Sequence, residues 1–460
     1  MRNPLLVPDL RELIHAGERD AVREFLEEHH PGQVAEIIED LDPSEGDTLI
    51  NLLEPRVRAD VMSYLEPETQ VRVVEAMNAD DAATLLQYMS HDERAVLVKR
   101  LDDDIVDDIL RRLANAERED IRRLASYEPG TAGAVMTTDY ATLPPDVTVR
   151  EAIDRLRQEA PDKETIYYSY IVDENRKLLG LVSLKTLLLA RPRARVEEVM
   201  NSEPISARLD DDQESVARKI EDYDLIAIPV VDSDDRLIGI VTYDDAMDIL
   251  QREQTEDILR FGGVAADHDQ EDVPYWQSGV VTAVRRRIGW LLLLFLGGTV
   301  TSYIVRMFHW VDARLEPEID LAMFIPLLIG TGGNAGSQSV GTIIRGLALG
   351  EITRADAMRV LVREWATGLL LGLLLGVLGF LYTWLVLGNP PLVSAVIGLA
   401  ILGICMWANS VGALVPMLAR RLGIDPAVVS APMISTLVDA TGLIIYYTIA
   451  IFLLATLMHP

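Results

Sequence analysis

After Arg285 the chain is dominated by five apolar stretches, at 289–304, 321–344, 364–387, 392–419 and 431–457, with almost no charge inside them. At ~1.5 Å of rise per residue, helices of this length cross a ~30 Å hydrocarbon core. One such stretch could be the buried helix of a soluble protein, but five in succession read as membrane spans. No single globular domain accommodates them.

The rest of the chain obeys a different solvent. Of 460 residues with a net charge of −30, residues 1–284 hold 31 Lys/Arg and 63 Asp/Glu, whereas the remainder holds eleven Arg, no Lys and nine acids. A chain this acidic repels phosphate backbones, which argues against nucleic-acid binding. The single cysteine, Cys405, leaves no disulfide framework and no Cys-rich zinc site within the chain. The opening MRNPLLVPDLREL lacks the apolar core of a signal peptide, so the acidic half is expected in the cytoplasm.

Arginines set the direction of crossing. Arg285 to Arg287, then Arg345, Arg354, Arg359 and Arg363, then Arg420 and Arg421, all fall on one side of the five spans, while Glu316, Glu318 and Asp320 fall on the other. The positive-inside rule therefore places the N-terminus in the cytoplasm and the C-terminus outside.

Two repeats organise the acidic half. Leu41, Leu53, Leu65, Met77, Met89, Leu101 and Leu113 recur every twelve residues, most of them followed by a turn-and-cap sequence such as LDPSE or LEPE. Pro43, Pro55 and Pro67 would each cost ~3 kcal/mol inside one long helix, so the spacing predicts short helices stacked as a superhelix. A longer duplication covers 131–250, with Val135 matched by Val199 and Gly180 by Gly239. Each copy predicts a strand, a helix, two strands joined by a DEN or DSDD turn, and a closing helix. The first copy carries five extra residues near APDKETIYYSY.

This duplication resembles a tandem pair of CBS domains. The resemblance implies an adenine-nucleotide site, with a Ser/Thr and an Asp three residues later at the ribose. Thr242 and Asp245 fit that pattern; Ser183 and Thr186, in the first copy, lack the acid. A helix cap is the competing reading.

Acids crowd the segment that leads to the membrane. Asp245 and Asp248, then Glu253, Glu256 and Asp257, approach common faces of a helix, and Asp210 to Asp212, Glu214 and Asp224 add to them. Carboxylates without paired Lys repel one another unless a cation lies between them, and oxygen-only donors suit a hard ion such as Mg²⁺. A solvated acidic face is the alternative.

In the spans, Asp439 has no evident basic partner. An intramembrane acid costs ~2.5–3.5 kcal/mol and is functional by default, so Asp439 is expected to face a water-filled cation path. Ser435, Thr436, Thr441 and Gly442 offer it hydroxyls and close backbone. Pro326 and the run Gly332-Gly333-Asn334-Ala335-Gly336 are expected to loosen the second span, with small-residue helix packing as the alternative. Asn334 and Gln338 join Ser435 as candidates to line the path. One Asp balances half of a divalent charge, which points to a two-fold homodimer.

Taken together, the stacked helices, the CBS pair, the acidic connecting helix, GTGGNAGSQS and STLVDATGL resemble the MgtE family of bacterial magnesium channels over nearly the whole chain. The fold expected is a multidomain membrane protein: an all-α superhelical N-domain (1–130), an α/β tandem CBS pair (131–250), a connecting plug helix (251–284) and a five-helix transmembrane domain (285–460). The resemblance implies a homodimer in the inner membrane, its pore running along the dimer interface, with hydrated Mg²⁺ held at Asp439. It also implies sensor acids at Asp60, Asp92, Asp212, Glu214, Asp224, Asp245, Asp248, Glu253, Glu256 and Asp257. Magnesium bound among them would draw the plug helix under the pore and close it.

Two departures stand out. Val96 replaces an Asp of the N-domain site, leaving Glu93 as a substitute ligand, and Ala431 stands where a relative has Asn. Mn²⁺, Co²⁺ and Ni²⁺ remain alternative cargoes, and a coupled divalent-cation transporter or a nucleotide or metal sensor without transport remain alternative functions. No GxxxxGK[ST] or HExxH pattern points to an enzyme.

Overall fold

The computed structural model describes residues 6–16, 18–160, 163–265, 279–313 and 320–455. The outer-loop acids Glu316 and Glu318 and the end of the acidic connecting segment at Glu271 lie outside the described residues. The chain forms two units, residues 1–253 and 254–460.

The first unit begins with ten helices: α1 (Leu6–Ala16), α2 (Arg19–Glu27), α3 (Pro31–Asp40), α4 (Pro43–Leu52), α5 (Pro55–Met62), α6 (Pro67–Ala76), α7 (Ala79–Tyr88), α8 (His91–Arg100), α9 (Asp103–Leu110) and α10 (Asn115–Ala125). Proline occupies the first position of α3 to α6, where its missing N–H costs nothing. Asn78 caps α7 by accepting from the amides of Asp80 and Asp81 at 3.1 and 2.9 Å. Leu41, Leu53, Met77, Met89 and Leu101 of the twelve-residue repeat are C-caps in extended conformation. Each ends one helix and drops its side chain toward the core, all but Met77 being fully buried. Alternate helices then pack together, α3 on α5 on α7 on α9, and α6 on α8 on α10. A period set by one cap and one core residue explains why the repeat is so regular.

The duplicated segment follows. The first copy contains α11 (Ala132–Val135), β1 (Tyr140–Leu143), α12 (Val149–Glu159), β2 (Thr165–Val172), β3 (Leu178–Ser183) and α13 (Leu184–Leu189). The second contains α14 (Val196–Val199), β4 (Ala207–Arg208), α15 (Gln213–Asp222), β5 (Ala227–Val231), β6 (Leu237–Thr242) and α16 (Tyr243–Phe261). Both sheets have the same order, a parallel pair (β1 with β2, β4 with β5) followed by an antiparallel hairpin. The two hairpin turns share their chemistry: Asp173 accepts from the amides of Asn175 and Lys177, and Asp232 from those of Asp234 and Arg236. Arg176 and Asp235 take the left-handed conformation at equivalent places.

Each copy closes the other's sheet. Thr137, ahead of β1, bridges to Ile240 of β6, and Asn201, ahead of β4, bridges to Leu181 of β3. The matched glycines lie under these crossings: a Cβ on Gly180 would stand 2.6 Å from the Asn201 carbonyl, and one on Gly239 2.6 Å from the Met136 sulfur. The five-residue excess of the first copy falls between α12 and the β2–β3 hairpin, where β2 is longer than β5 and bulged against β1 between Tyr140 and Ala141.

The second unit takes the end of α16, from Gln254, and five long helices: α17 (Val280–Ala313), α18 (Ile325–Ala348), α19 (Ala357–Leu381, continued by a π-helical turn to Val386), α20 (Pro391–Arg421) and α21 (Ala431–Leu454). Among the described residues α17, α19 with its π turn, α20 and α21 are long and apolar enough to cross a membrane. α18 has 24 residues but carries GTGGNAGSQS, and it packs on α20 and α21 instead of presenting an apolar surface. The large side chains of α17, such as Leu292, Phe295 and Leu296, point outward. That surface suits lipid.

The expected loosening of the second span is corrected. Residues 332–336 remain helical within α18. Their lack of side chains is used for close packing: a Cβ on Gly332 would lie 2.5 Å from Ile404, and one on Gly336 3.0 Å from Ile434.

Candidate functional site

Two clusters of side chains carry chemistry, one in each unit. In the second, Asp439 sits in the third turn of α21, half-buried, and among the described residues it has no hydrogen-bond or ion-pair partner. Ser435 is one turn earlier, and α18 supplies the facing surface. A Cβ on Gly333 would be 2.8 Å from Ser435 Oγ and 3.5 Å from Asp439 Oδ1. Ser337 Oγ lies 3.3 Å from Ser435 Oγ and within donating distance, 3.3 Å, of the Ala431 carbonyl. The two signature motifs of the spans therefore meet at the acid. Asn334 and Gln338 are exposed on α18.

The hydroxyls expected beside Asp439 are engaged elsewhere, which corrects part of the sequence reading. Thr436 donates to the Pro432 carbonyl at 2.9 Å, and Thr441 donates to that of Leu437 and accepts from Trp407 Nε1, each at 2.8 Å. Gly442 packs against Ile404. Sequence reasoning also missed a second acid: Glu364, in α19, accepts from the buried Ser339 of α18 at 2.9 Å. It is the first residue of the apolar stretch 364–387, and its position in the sequence gives no sign of the serine it meets.

The first unit gathers acids from three elements. Asp92 in the first turn of α8 and Asp245 in the first turn of α16 are pushed above the usual carboxylate range, chiefly by burial, then Asp92 by Glu93 and Glu164 and Asp245 by Asp92. Glu93 adds to the repulsion on both. Glu164, ahead of β2, is raised to about 7 by burial and then by Asp245, Asp244 and Glu93. Glu164 was not anticipated: it lies in the extra residues of the first copy, where the repeat offers no counterpart. Asp245 also accepts from Thr242 Oγ1 at 2.5 Å, and Glu93 from Ser63 Oγ at 2.6 Å.

The other sensor candidates are dispersed. Asp60, on α5, is raised by burial, which Arg56 partly offsets. Asp212 caps α15 by accepting from the Ser215 amide at 3.0 Å, and Glu253 accepts from Gln213 at 2.9 Å. Asp224 and Asp248 are exposed, Asp224 in the left-handed conformation, and Asp257 is half-buried. Val96 is exposed on α8. The premise that the acids of this half lack basic partners fails at Asp211, which is paired with Lys219 at 2.9 Å, and at two of the sensor candidates. Glu214 is paired with Arg218 at 2.5 Å, and the buried Glu256 with Arg260. Among the described residues no three His, Cys, Asp or Glu side chains converge closely enough to hold a bare ion.

At the candidate ribose position, Thr242 is nearly buried and its hydroxyl is spent on Asp245. The equivalent Ser183 caps α13, accepting from the Thr186 amide at 3.0 Å.

A helical N-domain, a CBS pair and a bundle of helices long and apolar enough to cross a membrane define a multi-pass membrane protein that carries a CBS-domain pair. Comparison with known proteins agrees. Residues 325–449 match the family described as MgtE, divalent cation transporter; 29–130 match the MgtE intracellular N domain; 132–193 and 196–252 match CBS domains. The chain is 46% identical over 339 residues to the magnesium transporter MgtE of Thermus thermophilus, covering 73% of both chains. It is 39% identical over 335 residues to that of Enterococcus faecalis, covering 73% of this chain and 71% of that one. A crystal structure of the cytosolic domain of the Mg²⁺ channel MgtE in complex with ATP superimposes with a TM-score of 0.51 at 37% identity, over 53% of this chain and 99% of that one. The chain belongs to the MgtE family.

Proposed function

We propose that this protein is a magnesium channel of the cytoplasmic membrane that admits Mg²⁺ and is closed by Mg²⁺ bound to its cytosolic acids. Its role is transport, not catalysis. The observation that carries this reading is Asp439, an acid without a partner among the described residues, set in a membrane helix against the glycine and serine face of α18. An unpaired carboxylate at that depth is tolerated where it meets water and a passing cation. Mg²⁺ keeps most of its waters and needs only one or two carboxylates, which fits a lone acid per chain and a two-fold pair of chains. Influx needs no ATP hydrolysis: an inside-negative potential favours a divalent cation by ~4.6 kcal/mol per 100 mV.

Gating follows from the acids of the first unit. Asp92, Asp245 and Glu164 repel one another, so a cation among them favours their approach and its loss favours separation. The donors are all oxygens, as a hydrated Mg²⁺ requires. A ligand shifts such an equilibrium only by its preference for one state. Asp245 lies on α16, whose last turn belongs to the membrane-embedded unit: Arg260 there pairs with Asp425, and Gly263 just beyond approaches Ser430 and Pro432 at the head of α21. We assign α16 the part of the plug. The homologous cytosolic domain was solved with ATP, and this chain keeps the Thr and Asp pair only in its second copy, so we propose one nucleotide site per CBS pair, at Thr242 and Asp245. The N-terminus is cytoplasmic and the C-terminus outside.

Voltage-clamped membranes test the channel reading against a coupled transporter. Currents should reverse at the Mg²⁺ equilibrium potential whatever the Na⁺ and proton gradients; a reversal that follows either gradient overturns the reading.

A further inference from the structure

We propose that Gly333 is a positioning residue for the cation path: its missing side chain leaves the room in which the Ser435 hydroxyl, and beside it the Asp439 carboxylate, take their places. This inference rests on Asp439 lying on the path. Residues 431, 435 and 439 form one stripe on α21, and residues 333 and 337 form one stripe on α18. Ser337 meets the first stripe by a polar contact, 3.3 Å from both Ser435 Oγ and the Ala431 carbonyl. Gly333 meets it by absence. A methyl there would stand 2.8 Å from Ser435 Oγ, closer than such contacts allow, but 3.4 Å from Ser435 Cβ and 3.5 Å from Asp439 Oδ1, which are tolerable. The conflict is thus with one atom, the hydroxyl of Ser435. To make room, that hydroxyl must leave Ser337 and rotate along α21, where Asp439 is its neighbour.

Gly336, three residues on, provides the contrast. A methyl there would meet Ile434 at 3.0 Å and Val438 at 3.3 Å, apolar groups on the same helix. It wedges the same two helices apart without touching a polar group of the path.

The experiment measures Mg²⁺ flux, and the ratio of Mg²⁺ to Co²⁺ flux, in vesicles containing the full-length protein. The variants are Gly333→Ala, Ser435→Ala, their combination, Gly336→Ala and Asp439→Ala. Gly333→Ala is expected to lower Mg²⁺ flux about tenfold and to change the ratio, while in the Ser435→Ala background the same substitution should cost little more. Gly336→Ala should lower folded yield and leave the ratio as in the wild type. An unchanged ratio in Gly333→Ala, or an equal loss in both backgrounds, overturns the proposal. If Gly333→Ala yields no folded protein, recovery of folding in the double variant supports the proposal, and no recovery overturns it. Asp439→Ala separates the two claims: if it conducts like the wild type the channel site itself is wrong, whereas a dead Asp439→Ala beside a normal Gly333→Ala removes only the present inference.

Discussion

Arg260, in the last turn of α16, is paired with Asp425, which lies between α20 and α21. The same guanidinium also holds Glu256, a residue only 4% exposed. Arg260 thus fastens the end of α16 to the segment that leads into the helix of Asp439. Charges that are partly removed from water depend strongly on such partners. Asp425→Asn keeps the shape and removes the charge, so it should raise the internal Mg²⁺ needed for half-inhibition of uptake, and Arg260→Ala should raise it further. Inhibition curves that superimpose on the wild type would show that this contact has no part in closure.

The acid cluster has a pH signature. A carboxyl whose pKa is raised on assembly binds its proton more tightly in the assembled cluster, so protons favour assembly, and that support is lost as pH rises through about 7, the value for Glu164. Asp92 and Asp245 are shifted in the same direction. Magnesium must then replace protons. The rise in thermal midpoint on adding Mg²⁺ should be larger at pH 8 than at pH 6, and calorimetry in buffers of different ionisation enthalpy should record proton release on binding. Glu164→Gln should shrink both effects; equal midpoint shifts at the two pH values would contradict the cluster.

The crossings of the CBS pair make an ordered prediction. Gly180→Ala brings a methyl to 2.6 Å from the Asn201 carbonyl, whereas Gly239→Ala first meets the Met136 side chain and stands 2.9 Å from the Thr137 carbonyl, a milder backbone clash. Both should destabilise by about 1–3 kcal/mol, with Gly180→Ala the worse. Thermal unfolding of the two variants decides it.

Ser339 and Glu364 are expected to serve packing. Ser339→Ala removes the hydroxyl that Glu364 accepts from, at a cost of about 1–3 kcal/mol, and Glu364→Gln should be milder because an amide still bonds the serine. Flux per folded channel should hold in both. Lost flux with unchanged stability would make Glu364 part of the path.

Much of this architecture was legible because local signals agreed with the global fold. Proline at the start of α3 to α6 and the buried Leu41, Leu53, Leu65, Met89 and Leu101 that follow successive helices impose the twelve-residue period, and the Asp173 and Asp232 turns betray the duplication. What escaped depends on neighbours distant in sequence. The glycines of α18 should weaken a helix by about 1 kcal/mol each, yet they are helical because α20 and α21 close over them. Thr436 and Thr441 could have served Asp439, and only the helix geometry shows them turned to backbone carbonyls. Glu164 joins the acids through an irregular β2 that no repeat describes. Spacing finds acids that share a helix; it does not reveal those that meet across a fold.

The central claim is that Asp439 conducts the ion. Mg²⁺ entry into vesicles, followed with an internal magnesium dye under an inside-negative potential, tests it directly on the wild type and on Asp439→Ala and Asp439→Asn. The account expects wild-type protein to conduct and both variants to fall to the leak of empty vesicles while remaining folded. Wild-type flux through either variant would contradict it.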